Sequence, residues 1–146
     1  MENYYPYPTR DPIKNYFPLP NEIFLMDLTP GELAVYSYLM RCEDRRTHQC
    51  HPSYKTIGRA VQLSPNTVAK HVNSLREKHL ISTENTEITT RLGEKRNGTL
   101  LYTIRPIEEA LHHFYKRQME EVEDALARQK IQRKLAEVDR KQARIG

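Results

Sequence analysis

The chain has 146 residues, enough for one domain with an appendage, and 38% of them are hydrophobic against 29% charged. No apolar run approaches the roughly 18 residues that a membrane span requires, and the start of the chain lacks the basic residues and apolar run of a secretory signal. We therefore expect a cytoplasmic protein without membrane contact, whose Cys42 and Cys50 stay reduced. The net charge of +4 is weak evidence for a polyanionic partner.

Residues 1–22 form a segment rich in tyrosine and proline, and its five prolines exclude a regular helix or a central strand. The composition predicts an extended arm. Such an arm either packs a few aromatic side chains on the domain or reaches a partner. We favour packing, with Tyr16 and Phe17 as the anchors.

The first predicted helix covers residues 28–41. Thr29 fits the N-cap, Pro30 fits the first helical position, and Glu32 completes a capping box with Thr29. Apolar residues then recur at helical spacing, which predicts one buried face.

Two shorter helices follow a polar connection, the first over residues 53–61 and the second over residues 65–78. Ser53 is the predicted N-cap of the first and Ser64 that of the second, which has Pro65 at its first position. Two helices joined by a three-residue turn make a helix-turn-helix motif. The second helix has an apolar stripe at helical spacing, formed by Val68, Val72 and Leu75.

Strand-like sequence begins at Ile81, where ISTENTEITT and TLLYTI flank the turn-rich stretch RLGEKRNG. With Gly93 and Asn97-Gly98 as turn signals, these residues predict a β-hairpin with a basic tip, a wing over residues 91–98. Pro106 ends the second strand, and a long helical pattern starts at Ile107.

The order helix, helix, helix, strand, strand is the winged-helix arrangement. We therefore predict a mainly α (α+β) fold in three parts. Residues 1–22 are the arm, residues 23–106 a winged helix-turn-helix domain, and residues 107–146 a long C-terminal helix.

The outward face of helix 65–78 carries short hydrogen-bonding side chains and one cation. Asparagine can pair with adenine through two hydrogen bonds, and serine or threonine can contact several base edges or a phosphate. A merely solvated face favours Lys, Glu and Gln, which are stronger helix formers. Because the second helix of this motif normally enters the major groove, we predict that this face binds double-stranded DNA.

The wing cations suit contact with the DNA backbone or minor groove, the alternative being a solubilising turn. Arg59 and Lys55 on helix 53–61 could touch phosphates. The full set of predicted DNA-contacting residues is Lys55, Ser64, Asn66, Thr67, Lys70, His71, Asn73, Ser74, Arg91, Lys95, Arg96 and Asn97.

The segment PSYKTIGRAVQLSPNTVAKHVNSLREKHLI resembles a bacterial winged helix-turn-helix family. In that family P-S-x-x-x-[IL]-[AG]-x-x-x-G-[VM]-S-x-x-T-V precedes a recognition helix ending in L-x-x-x-x-L-I. The wider stretch, residues 23–107, looks like small proteins of integrative conjugative elements, plasmids and phages. The resemblance implies DNA binding, with Ser64 as the cap and Gly58 in the small slot where two helices cross. The chain has Gln62 where the family usually has a turn glycine, and a glutamine at positive φ costs about 1 kcal/mol.

Four residues of types that can bind zinc lie close together in the sequence: Cys42, His48, Cys50 and His51. Their spacing differs from that of structural zinc sites, and adjacent residues such as Cys50 and His51 are poorly placed to bind one ion together. No catalytic set and no glycine-rich phosphate loop stand out. We therefore expect no metal, no cofactor and no enzymatic activity.

The C-terminal helix carries opposite charges at helical spacing and apolar residues in separate stripes. From Ile131 the apolar spacings of four, three and seven residues suit a coiled-coil seam. We predict a homodimer through residues 107–146, which would present two recognition helices to a two-fold operator. The alternatives are a single solvated helix, or a segment that lies along a polyanion, because the chain from Ala127 carries seven Lys or Arg against two acids.

These patterns predict a sequence-specific DNA-binding protein, a transcriptional regulator encoded on a bacterial mobile genetic element. A variant of this function is an accessory of replication initiation or partition. An alternative from another class is a protein-interaction module, such as an inhibitor or adaptor of a host nucleic-acid enzyme, with the long helix as its contact surface.

Overall fold

The computed structural model describes residues 14–145, and its elements follow the predicted order with additions. A 3₁₀ helix, Asn21–Leu25, comes first. The other elements are α1 (Pro30–Cys42), β1 (Gln49–Cys50), α2 (Tyr54–Val61), α3 (Pro65–Glu77), β2 (Ile81–Glu84), β3 (Glu87–Thr89), β4 (Lys95–Asn97), β5 (Leu101–Ile104) and α4 (Ile107–Ile145).

The three short helices begin at the predicted caps. Each cap side chain accepts a hydrogen bond from a backbone N–H three residues on: Thr29 from Glu32 (3.3 Å), Ser53 from Thr56 (3.1 Å) and Ser64 from Thr67 (3.2 Å). These bonds satisfy N–H groups that have no partner inside the helix. The predicted helix starts are therefore confirmed.

The turn between α2 and α3 is set by Gln62 and Gly58. Gln62 adopts the left-handed conformation (φ 58°, ψ 47°), and the N–H groups of Gln62 and Leu63 both donate to the Gly58 carbonyl. A Cβ on Gly58 would lie 2.3 Å from the Leu63 carbonyl oxygen and 3.6 Å from a Val68 methyl group. The small slot predicted at Gly58 is thus confirmed, and the turn backbone limits it more than the helix crossing does.

Gln62→Gly is expected to raise the free energy of unfolding by about 0.5–1 kcal/mol, because glycine adopts positive φ without the Cβ strain. Chemical denaturation measures the change. Gln62→Asn should give a smaller increase, and Arg59→Gly, inside α2, should lower stability by about 1 kcal/mol. A loss of stability in Gln62→Gly would contradict the strain argument.

The core lies between the three short helices and the sheet, and it is closed by residues from both flanking segments. Ile23 and Met26 precede α1 and are buried, as is Ala110 at the start of α4. The arm prediction is corrected here, because Tyr16 and Phe17 are 50% and 36% exposed. Leu19, Ile23 and Met26 anchor the segment before α1 instead. Residues 1–13 of the predicted arm lie outside the described residues.

A three-stranded antiparallel sheet has the order β1–β5–β2. Tyr102 of β5 lies opposite Cys50 of β1 and Thr83 of β2, and it is fully buried. The sequence predicted a polar connection where β1 occurs. A two-residue strand carries almost no local signal, and its pairing with β5 and a bridge to Asp44 define it.

The outer part of the wing is a separate ladder between β3 and β4. Its turn lies at residues 90–94, where Gly93 has φ 80° and its N–H donates to the Thr90 carbonyl (2.9 Å). Of the two predicted turn signals, Gly93 is confirmed and Asn97-Gly98 is wrong. Asn97 pairs with Glu87, and Gly98 lies against Thr86, where a Cβ would be 2.5 Å from the threonine hydroxyl.

An ion pair joins the start of α1 to the end of α3. The Lys78 Nζ lies 2.6 Å from the Glu32 carboxylate, whose side chain is 6% exposed, and 3.5 Å from the Asp27 carbonyl. The Thr29 hydroxyl donates to the same carboxylate (3.2 Å). The predicted capping box therefore has an added partner from α3.

Within residues 14–145, helix α4 packs on the core through its first turns. Ala110 is buried, Ile107, Leu111 and Phe114 are partly buried, and His113 stacks on His79 with ring centroids 3.8 Å apart. Residues 115–145 are all exposed. None of the helices in the described part of the chain is long and apolar enough to cross a membrane.

Candidate nucleic-acid interface

The buried stripe of α3 fixes which side of that helix faces out. Val68 and Val72 are fully buried against the other helices, as is Leu75. The opposite side therefore presents Lys70 and two asparagines, and all three are exposed: Asn66, Lys70 and Asn73. The outward face predicted from helical periodicity is confirmed as an exposed polar surface.

Ser64 and Thr67, two further predicted contacts, are hydrogen-bonded to each other at the start of α3. The Thr67 hydroxyl lies 2.8 Å from the Ser64 hydroxyl, and the Thr67 N–H donates to the same atom. Thr67 and Ser74 are half-buried at the edge of the face. A hydroxyl can donate one hydrogen bond and accept two, so Ser64 and Thr67 can still contact a phosphate at the helix start.

His71 is turned away from the outward face. Its imidazole lies against Gly31, where a Cβ would be 2.2 Å from the His71 Nε2. The ring packs at the crossing of α1 and α3, and the DNA contact of His71 stays a prediction. Position 71 directly precedes the buried Val72, and helix packing brings its ring inward.

Arg76 is a residue of this surface that the sequence did not single out. Its guanidinium donates to the Asn73 Oδ1 (3.0 Å) and to the Thr83 hydroxyl of β2 (3.2 Å). The spacing of three between Asn73 and Arg76 on a helix was a usable signal. The contact with Thr83 could not be predicted from the sequence, because it depends on how β2 returns along α3.

The surface charge is mixed. Lys55 and Arg59 are exposed on α2, and Glu77 is exposed near the end of α3. In the wing, Arg91 lies in the turn, whereas three predicted contacts are exposed residues of strand β4: Lys95, Arg96 and Asn97. Arg96 pairs with Glu94 at 3.5 Å, but both side chains are well exposed, so the pair adds little stability.

The two cysteines lie beside the sheet and away from this surface. Cys42 and Cys50 are free, and the Cys50 thiol donates to the Leu39 carbonyl at 3.6 Å. Burial, with smaller contributions from Cys42 and Glu43, raises the pKa of Cys50 to about 12, so its thiol stays protonated at neutral pH. Among residues 14–145, no three His, Cys, Asp or Glu side chains are placed to hold a metal ion together.

Comparison with known protein families identifies the part of the chain that carries α1, α2 and α3. Residues 27–81 match the family model described as a helix-turn-helix domain. This segment therefore carries a helix-turn-helix domain. The match ends at the first residue of β2, so most of the wing and all of α4 lie beyond it.

Solved structures give a looser likeness. One is described as a "possible transcriptional regulator from Methanosarcina mazei Go1", with 17% identity over 69% of this chain and 78% of that chain and a TM-score of 0.46. No curated protein matches the chain.

Proposed function

We propose that this protein is a sequence-specific DNA-binding transcriptional regulator that reads the major groove with α3. The observation that carries the proposal is the outward face of α3, where exposed asparagines and Lys70 stand opposite a fully buried stripe. These side chains have the donors and acceptors that base edges require, on the helix that this motif normally places in the groove.

The wing supplies the second contact in this proposal. Arg91, Lys95 and Arg96 are exposed on or beside the hairpin turn, where long cations can reach the phosphates that flank the groove. Lys55 and Arg59 extend the basic surface on α2. Such contacts position the protein, whereas the outward face of α3 selects the sequence.

The resemblance of residues 23–107 to small proteins of mobile elements supports a regulator encoded on a bacterial mobile genetic element. The same type of domain also occurs in accessory proteins of replication and partition. The process that this protein controls therefore depends on where its DNA site lies. We propose that the protein acts in the cytoplasm without catalytic activity or a cofactor.

Selection of bound DNA from a random duplex pool, at near-physiological salt, tests base reading. We expect enrichment of a palindrome with half-sites about 34–36 Å apart, one helical turn. Generic binding that disappears with added salt and enriches no sequence would contradict the proposal, because it would reflect phosphate contacts alone.

Helix α4 is proposed to join two copies of the chain. Its exposed part carries apolar side chains that are 49–86% exposed: Met119, Val122, Leu126, Ile131, Leu135, Val138 and Ile145. At about 100° per residue, the first three and the last four lie on sides of the helix roughly 140° apart. The distal set has the spacing of a coiled-coil seam, so we assign the dimer contact to it.

The double variant Ile131→Asp/Leu135→Asp is expected to be monomeric, because it places charges in the assigned seam. Sedimentation equilibrium measures the mass. The matched variant Met119→Asp/Val122→Asp, on the other side of α4, should remain dimeric. A wild-type chain that is monomeric at its highest soluble concentration would contradict the dimer.

The exposed apolar residues of α4 also support the alternative function, a protein-interaction module. That function predicts a stable complex with another protein that survives nuclease treatment and the Lys70→Ala substitution. Copurification with the exposed residues 115–145 present and absent separates it from DNA-mediated association.

A further inference from the structure

Asn73 is held in one orientation by a neighbour. It is exposed on the outward face of α3, and its Oδ1 accepts a hydrogen bond of 3.0 Å from the Arg76 Nη2. A guanidinium has donors only, so the atom of the amide that faces it must be the carbonyl oxygen. The Asn73 Nδ2, with its two N–H donors, is therefore directed away from Arg76.

Arg76 is itself fixed from a second element. Its Nη1 donates to the Thr83 hydroxyl at 3.2 Å. Thr83 lies opposite Tyr102 in the β2–β5 ladder, and Tyr102 is fully buried. The guanidinium thus bridges α3 and the sheet, and the core holds the sheet end of the bridge in place.

The two outward asparagines, Asn66 and Asn73, differ in which side-chain groups are free to bind a base. Within the described residues the Asn66 side chain has no hydrogen-bond partner, so both its donor and its acceptor stay available. Pairing with adenine needs both groups, the acceptor for N6–H and the donor for N7. Asn73 has already used an acceptor position on Arg76.

We propose that Arg76 is a positioning residue that presents Asn73 to DNA as a hydrogen-bond donor. Asn73 then favours bases with a keto oxygen on the major-groove edge, O6 of guanine or O4 of thymine, over the amino bases adenine and cytosine. The inference rests on the proposed function and assigns the specificity of one position in the site.

Substituted duplexes test the proposal. The full-length protein is titrated with the selected duplex carrying each of the four base pairs at each position. For the wild type we expect one position per half-site at which guanine or thymine is favoured over adenine and cytosine. The expected preference is on the order of fivefold, the effect of about one hydrogen bond. Asn73→Asp presents an acceptor instead, and it should reverse that preference toward adenine or cytosine.

The positioning role needs a variant that leaves the charge unchanged. Thr83→Val removes the sheet end of the bridge, so it should reduce the keto preference severalfold at the same position. Its salt dependence should equal that of the wild type. Thr89→Val, a β3 threonine outside the bridge, is the matched control and should leave both quantities unchanged.

The outcomes separate this proposal from the broader one. A selected site whose preferences are unchanged in Asn73→Asp, or a wild-type preference for adenine at the Asn73 position, overturns the inference and leaves DNA reading intact. Loss of the keto preference in Thr89→Val to the same extent as in Thr83→Val overturns the positioning role. If the wild type selects no sequence, the proposed function fails and this inference fails with it.

Discussion

Asn66→Ala is expected to weaken binding to the selected duplex by about 5- to 150-fold, the range of 1–3 kcal/mol typical of a good base contact. Asn66 is exposed at the start of α3, and both polar groups of its side chain are available for a base edge. Binding to unrelated duplexes should stay close to the wild-type value, because a base contact contributes little there. Titration of both duplexes at one salt concentration measures the difference.

Lys70→Ala provides the contrast. A lysine that contacts a phosphate should weaken binding to all duplexes to a similar extent and lower the salt slope by about one. Lys134→Ala on α4 removes the same charge at a distance from the outward face, and it should change neither quantity. If Lys134→Ala weakens binding as much as Lys70→Ala, the distal part of α4 lies along the DNA.

Lys78→Met is expected to lower the free energy of unfolding by about 2–3 kcal/mol. Removing one partner of a buried ion pair typically costs about 3–5 kcal/mol, and Lys78, at 28% exposed, is less buried than Glu32. Among residues 14–145, the substitution leaves the Glu32 carboxylate with only the Thr29 hydroxyl as a side-chain partner. Chemical denaturation at neutral pH measures the loss.

The double variant Glu32→Gln/Lys78→Met is the control for that prediction. It removes the buried charge as well, so it should recover much of the lost stability. A single variant within about 0.5 kcal/mol of the wild type would show that the pair behaves like a surface pair. Because the pair joins the end of α3 to the start of α1, its loss should also loosen the end of the helix assigned to the major groove.

Much of the candidate interface follows from local sequence. The caps at Thr29, Ser53 and Ser64 fix the helix starts. The apolar period of α3 then decides that Asn66 and Lys70 face outward. These signals act within one or two turns of a helix, so they need no knowledge of distant parts of the chain.

The remaining features depend on contacts between segments that are far apart in sequence. Strand β1 exists through its pairing with β5, and the Arg76 bridge through the return of β2 along α3. The position of the wing turn at Gly93 also depends on which β3 and β4 residues pair. Strand register is a property of both partners, so turn residues in one segment do not fix it.

By itself the sequence determined the three capped helices, the polar outward face of α3 and the long final helix. Each of these has a local physical cause in hydrogen bonding or apolar period. Only the tertiary structure decided that His71 packs on Gly31, that Lys78 neutralises Glu32 and that Arg76 bridges to Thr83. Those contacts join different elements or set a side-chain rotamer, and the packing of the whole core selects them.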